Sequence, residues 1–294
     1  AVIQWSDQST NNRHATQGTV ASQPVRVAEA VSGLPAVRFD GVNDFLTNNL
    51  PINGLGGMSI FLVAANTANQ GGVTGPKNAA LFWNESVFWG AVYLSPFQSA
   101  VNLRFGTIQT GNSISYTRPT SVGSAFTMTE AVKDGTTDAL YVNGALVLSQ
   151  GGKLATIAGC QNSANVGRGF NNTCFAGDIA EVLVYNRALT VAERQAVEEY
   201  LNNKYAVIPT SPPQIASQPA NVAVMEPGAA NFSVTATGTA PLAYQWRRGG
   251  VDIGGATGSS YTLSPTSVAA DNEAQFRAVV NNASGSITSV VAVL

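Results

Sequence analysis

The stretch Phe175-Ala176-Gly177-Asp178-Ile179-Ala180-Glu181-Val182-Leu183-Val184-Tyr185-Asn186, followed by Leu189-Thr190-Val191-Ala192-Glu193, decides how this chain is read. Asp178–Tyr185 is an aliphatic run of strand length. Thr190-Val191-Ala192-Glu193 is a capping box, in which Thr190 and Glu193 satisfy each other's backbone donors. Val191, Val197, Tyr200 and Leu201 then fall on one face of a helix that ends near Lys204. Upstream, the punctuation by Gly, Asn and Asp marks short strands, among them Ser59–Ala65. Ala139–Val142 and Leu146–Leu148 flank Asn143-Gly144, a strong hairpin signal. Residues 1–208 therefore read as a large antiparallel β domain with one C-terminal surface helix. The Pro/Ser-rich segment 209–213 reads as a linker, and 214–294 as a smaller β-sandwich.

Composition narrows the function. The chain has 294 residues, so one large or two ordinary domains are expected. Charged residues are 11% of the total, against about 25% in an average soluble domain. Thr, Ser, Asn, Gln and 29 Gly take their place, as in many secreted β proteins. A net charge of -2 without a basic run argues against nucleic acid as a partner. No apolar stretch approaches the roughly 20 residues that span a bilayer, which argues against membrane insertion. Ala1 opens on a polar segment unlike a signal peptide, as expected of a mature protein or a piece excised from a longer one. One His and two Cys are too few for most metal or nucleophile chemistry. His14 reads as an ordinary loop or strand residue. Paired carboxylates are the economical route left to catalysis. Of the candidates, Glu130 and Asp134 bracket a turn, while Asp178 and Glu181 have the wrong parity to share a strand face.

The first domain is similar to the bacterial laminin-G-like (concanavalin A-like) jelly rolls. The resemblance rests on Trp5-Ser6-Asp7-Gln8-Ser9, on Pro35-Ala36-Val37-Arg38-Phe39-Asp40-Gly41-Val42-Asn43-Asp44-Phe45-Leu46, on Ser59–Ala64, on the Leu140–Gly144 hairpin and on the closing block. It implies an all-β sandwich of the concanavalin/laminin-G type. The family hosts lectins, adhesion domains, glycoside hydrolases and polysaccharide lyases, so its fold does not select among them. No Glu-x-Asp-x-Glu strand and neither lyase strand occurs, so no catalytic residue is assigned and binding is favoured over catalysis. The resemblance also implies a structural calcium ion, with Asp40, Asn43, Asp44 and Asp178 as oxygen donors; the alternative is that the first three only shape turns. Residues 214–294 resemble a bacterial immunoglobulin-like domain. Trp246 is its core tryptophan, Val234 and Ala278 occupy the two usual Cys positions, and Phe276 stands where the corner Tyr would be.

Three readings follow. The first is a polysaccharide-binding module with an immunoglobulin-like spacer, attached to further domains of a larger secreted, glycan-active protein. The second is an adhesion or surface-protein fragment with a protein partner, and the third a glycoside hydrolase or polysaccharide lyase with unrecognised carboxylates. The densest aromatic segment holds Phe82, Trp83, Phe88, Trp89, Tyr93 and Phe97, flanked by Asn84, Glu85, Gln98 and Arg104. Rings offer sugar C–H faces a flat apolar partner. Strand alternation assigns Phe82 and Phe88 to the core, and Trp83 and Trp89 to the exposed concave face or its rim; Tyr93, Asn84 and Arg104 are further candidate ligand-binding residues, and in the alternative all six rings fill the core. Arg168, Phe170 and Asn171 form a second candidate patch. It lies between Cys160 and Cys174, which a secreted context would pair as a disulfide; two buried thiols are the alternative.

Overall fold

Alternating side-chain direction along paired strands organises the computed structural model, which describes residues 1–66, 79–85, 91–96, 100–106, 113–117, 124–135, 137–151, 156–208, 211–239, 241–282 and 284–294. The chain forms two units, Ala1–Ile208 and Pro209–Leu294. Described strands of the first are β1 (Gln4–Trp5), β2 (Ala15–Thr16), β3 (Val25–Val31), β4 (Leu34–Asp40), β5 (Leu46–Asn49), β6 (Gly57–Asn66), β7 (Leu81–Glu85) and β8 (Ala91–Ser95). They continue with β9 (Ala100–Gly106), β10 (Ser113–Thr117), β11 (Thr127–Asp134), β12 (Thr137–Val142), β13 (Ala145–Gly151), β14 (Cys160–Val166) and β15 (Ala176–Tyr185). One antiparallel sheet runs β1-β2-β5-β14-β7-β8-β9-β10 and the other β13-β12-β11-β6-β15-β4-β3, neither closing on itself. Their facing sides share a core in which Ile60 and Leu62 of β6 meet Trp83 of β7 and Val92 of β8. This is an open all-β jelly-roll sandwich. The Asn143-Gly144 hairpin forms as its dipeptide demands, with φ of 50° and 78° at the two central residues.

Strand β6 is buried from Met58 to Ala65 because both its faces are covered. Phe61 and Val63 turn away from the sandwich core toward the helix α1 (Val191–Tyr205). The capping box is complete, with Thr190 Oγ1 accepting from the Glu193 N–H at 3.3 Å and Glu193 Oε2 accepting from the Thr190 N–H at 2.9 Å. The buried helix face differs from the apolar one expected. It carries Arg194, Glu198, Leu201 and Tyr205, whereas Val191 and Tyr200 are exposed. Tyr200 is drawn to the sheet by a polar contact instead, its hydroxyl donating to Glu181 at 3.0 Å.

Arg194 docks the helix on β11. Its guanidinium lies 3.9 Å over the Tyr141 ring and donates to Glu130 Oε2 at 3.3 Å, while Glu198 of its own helix takes the same nitrogen. Glu130 is fully buried, so the Glu130–Asp134 pair is no catalytic dyad: one member is sealed beneath α1. With two carboxylates sharing one cation, burial pushes Glu130 up to about 7, against the pull of Arg194 and of a backbone N–H at Gly144. As pH rises from about 4.5 toward 7, the unfolded chain ionises this group while the folded one holds its proton, so stability falls across that window.

The second unit contains β16 (Gln214–Ser217), β17 (Ala230–Ser233), β18 (Thr235–Thr237), β19 (Ala243–Arg248), β20 (Val251–Asp252), β21 (Ser260–Leu263), a short helix α2 (Val268–Asp271), β22 (Gln275–Asn282), β23 (Gly285–Thr288) and β24 (Ala292–Val293). Its core is aromatic. Phe232 stacks on Phe276 at 4.6 Å between centroids, and Trp246 and Tyr261 lie against them. Trp246 is fully buried, its indole N–H donating to Gly258 O at 3.0 Å, as expected of a core tryptophan. Val234 and Ala278 are buried in the same cluster.

Two outcomes are expected. Thermal melts from pH 5 to 8.5 should show stability declining, and Glu130→Gln should flatten the decline and recover roughly 2–3 kcal/mol at pH 8; parallel curves for the two proteins would refute the assignment. Cys160 and Cys174 are unpaired and buried, and burial pushes the Cys160 thiol up to about 12. The native protein should therefore resist thiol reagents at pH 8, and unfolding without reductant should release both thiols.

Candidate functional site

Register lines up a row of residues across the outer face of the eight-stranded sheet. Thr16 lies opposite Thr47, Thr47 opposite Asn165, Asn165 opposite Phe82, and Phe82 opposite Tyr93. The next residues along each strand, Leu46, Val166, Leu81 and Val92, point into the sandwich core. Trp83 belongs to that inner set. It is fully buried, and its indole N–H donates to Leu50 O at 2.7 Å. The aromatic segment therefore alternates as expected but with the faces exchanged: Trp83 fills the core and Phe82 lies outside it. Phe82 and Tyr93 are nonetheless only 2% exposed, clustered with Ala79 and Ala91, so Tyr93 is no open platform either. Asn84 follows Phe82 by two positions and shares its face. Phe88, Trp89, Phe97 and Gln98 lie outside the described residues, as do the side chains of Glu85 and Arg104; Arg104 takes the register position beyond Tyr93.

The outer aromatic cluster surfaces at the second candidate patch. Phe170 packs against the cluster of Ala79, Phe82, Ala91 and Tyr93 and stays partly exposed. Its loop leaves β14 through Gly167, whose φ of 84° and missing Cβ let the Phe39 ring sit where a side chain would strike it at 2.2 Å. Arg168 then pairs with Cys174 as an isolated bridge. The Arg168 guanidinium lies 3.4 Å from the centroid of the Phe45 ring, and Nη2 donates to Asn165 Oδ1 at 2.9 Å. The same oxygen accepts from Thr47 Oγ1 at 3.2 Å. Burial lowers the Arg168 pKa, with the nearby Cys174 acting the other way, yet a guanidinium remains charged. Asn171 and Asn172 follow with φ of 55° and 57°, a left-handed pair that asparagine tolerates, and both side chains are exposed. The patch thus presents a held cation, a ring backed by two more, and two free-standing amides. Phe45 and Asn172 were not legible as site residues; the only signal was the consecutive Asn pair after Phe170.

The proposed calcium donors are otherwise engaged. Both Asp178 oxygens accept from Arg38 at 2.7 Å. Asp40 Oδ1 accepts from the N–H groups of Val42, Asn43 and Asp44, and Asp44 Oδ2 accepts from the Asp40 N–H. Burial raises the Asp40 pKa, but those N–H donors outweigh it and hold the carboxyl below its ordinary value. Burial and the Asp40 charge push Asp44 up. Asn43 points to solvent. These contacts shape a turn, and among the described residues no three acidic, histidine or cysteine side chains gather as a metal requires. The donor set therefore does not fit calcium. Asp178 and Glu181 do share a face, because a bulge between Ile179 and Glu181 shifts the register. Glu181 is held by Tyr200, Lys204 and Tyr205, and Asp178 by Arg38, so neither is poised for catalysis. The disulfide does not form. β14 runs extended from Cys160 to Val166, roughly 20 Å, and Cys174 returns beside Arg168 beyond its far end, whereas a bridge needs Cα atoms within about 7 Å.

Residues 71–193 match the family described as the concanavalin A-like lectin/glucanases superfamily, of laminin G type. That match lies wholly within the first unit. No curated protein matches the sequence. Among solved structures, this chain is similar to domain 4 of AbnA, a GH43 extracellular arabinanase from Geobacillus stearothermophilus, in complex with arabinotriose. Identity is 15% and TM-score 0.48, covering 62% of this chain and 83% of that one. It is also similar to the CBM40 of the Ruminococcus gnavus IT-sialidase bound to α2,3-sialyllactose, at 16% identity and TM-score 0.39, covering 49% and 84%. A third is the botulinum neurotoxin serotype G binding domain, at 10% identity and TM-score 0.46, covering 97% and 77%. No described helix is long and apolar enough to cross a membrane.

In the first unit, Trp83→Ala should cost roughly 3–5 kcal/mol through the cavity it leaves, visible as a fall in Tm. Asn171→Gly, at an exposed position whose φ of 55° glycine adopts without strain, should leave the Tm within a degree or two of the parent. Equal melts for the two variants would show that Trp83 is not a core residue.

Proposed function

We propose that the concanavalin A-like unit is a non-catalytic polysaccharide-binding module, and that the second unit is an immunoglobulin-like spacer within a secreted, glycan-active protein. One observation carries the reading: the partly exposed Phe170 ring packs against the cluster of Ala79, Phe82, Ala91 and Tyr93, and Arg168 and the exposed Asn171 and Asn172 flank it in the same loop. A sugar presents an apolar C–H face and a rim of hydroxyls. The ring suits the first, and amides, which both donate and accept, suit the second. The guanidinium is fixed by Phe45 and Asn165 before any ligand arrives, so little side-chain entropy is lost on binding.

Three carboxylates of the first unit support binding rather than hydrolysis. Asp178, Glu181 and Glu130 are each committed to a cation of the fold. Affinity electrophoresis of the full chain in gels containing neutral and acidic plant or bacterial polysaccharides is the test. Retardation in at least one gel is expected, with Phe170→Ala and Asn171→Gly each weakening it about tenfold or more, the first with a modest fall in Tm and the second at unchanged Tm. Retardation that survives both substitutions would remove the patch from the site. Release of reducing sugar from the retarding polysaccharide would overturn the non-catalytic reading.

A further inference from the structure

The first unit holds a groove of ≈ 580 Å³ that shares no residue with the Phe170 patch. Its walls are the segment Ala1–Trp5, the start of β4 from Leu34 to Val37, and the end of α1 at Lys204 and Tyr205. Ala36 and Ala180 line it with methyl groups, leaving room where larger side chains would close it. Trp5 and Tyr205 supply the rings. The Tyr205 hydroxyl is already spent, donating to Glu181 Oε2 at 2.8 Å and lying 3.3 Å from Ala180 O, so the groove receives the ring and not the O–H. Val2, Ile3, Leu34, Pro35 and Val37 add further apolar lining. The groove favours an apolar body.

Two cationic side chains line the groove, beside the α-amino group of Ala1. Lys204 is neutralised in place, its amino group 2.9 Å from Glu181 Oε2 and 2.9 Å from the Tyr200 hydroxyl. Arg26 is exposed and makes no ion pair among the described residues. Arginine is suited to a carboxylate, which it can meet with two parallel hydrogen bonds. We propose that this groove binds a small amphipathic carboxylate, its acid group on Arg26 and its apolar body over Ala36 and Ala180, between Trp5 and Tyr205. The site is independent of glycan binding at Phe170.

Decanoate, kept below its micellar concentration, is the probe, with decanol and decyltrimethylammonium as matched neutral and cationic chains. Tryptophan fluorescence and Tm of the full chain are read together. Decanoate should produce a saturable fluorescence change and raise Tm, because it binds the folded state only. Trp5→Phe should remove most of the fluorescence change and retain the Tm rise. Arg26→Ala, an exposed substitution, should weaken decanoate about tenfold. Ala36→Leu should abolish binding by filling the groove, and if that variant fails to fold, Arg26→Ala still decides. The proposal is overturned if no saturable binding occurs, if decanol or the ammonium chain binds as well as decanoate, or if Arg26→Ala leaves the affinity unchanged.

Discussion

Strand β6 has no solvent face, and much of the first unit is arranged around that constraint. A strand buried from Met58 to Ala65 needs apolar cover on both sides. The eight-stranded sheet covers one side through Trp83, Leu81 and Val92, and helix α1 covers the other through Leu201 and Tyr205. Ser59 ties the two together, its Oγ accepting from the Leu189 N–H at 3.0 Å and donating to Arg187 O at 3.1 Å just ahead of the helix cap. The helix start is thus pinned to the strand it covers. Its other buried contacts are unusually polar, since Arg194 and Glu198 occupy positions where aliphatic residues would be expected, and Glu130 meets them from the sheet. Helix docking is consequently a matter of proton count as well as apolar area.

The candidate glycan surface depends on the same sandwich from the opposite sheet. Because Trp83 is turned inward, Phe82 and Tyr93 must face out, where they become a foundation for Phe170 rather than a platform themselves. The loop carrying Phe170 is located by backbone, through the Arg168–Cys174 bridge and the Gly167–Phe39 approach, without a disulfide. A chain with 11% charged residues spends several of its carboxylates on internal partners, Asp178 on Arg38 and Glu181 on Lys204. That leaves amides, hydroxyls and rings for recognition, which is the chemistry a neutral polysaccharide would meet.

Local signals determined a good deal by themselves. The Thr190–Glu193 cap and the Asn143-Gly144 turn are short-range: each is completed by atoms within a few residues, so the sequence holds all the information needed. Trp246 as a core residue was legible because an isolated large ring among alternating strand residues has few other places to go. Period-two alternation likewise separated Phe82 from Trp83. What alternation lacks is a sign. Which of two faces is the inner one depends on the partner strands, and β7 is oriented by β14 and β8, whose pairings span some 80 and 10 residues. Long-range register decided the rest as well. A bulge near Ala180 put Asp178 and Glu181 on one face, the extended course of β14 kept Cys160 from Cys174, and Arg38 reached Asp178 across 140 residues of chain. Such outcomes turn on residues distant in sequence meeting at one register, and no local pattern carries that register.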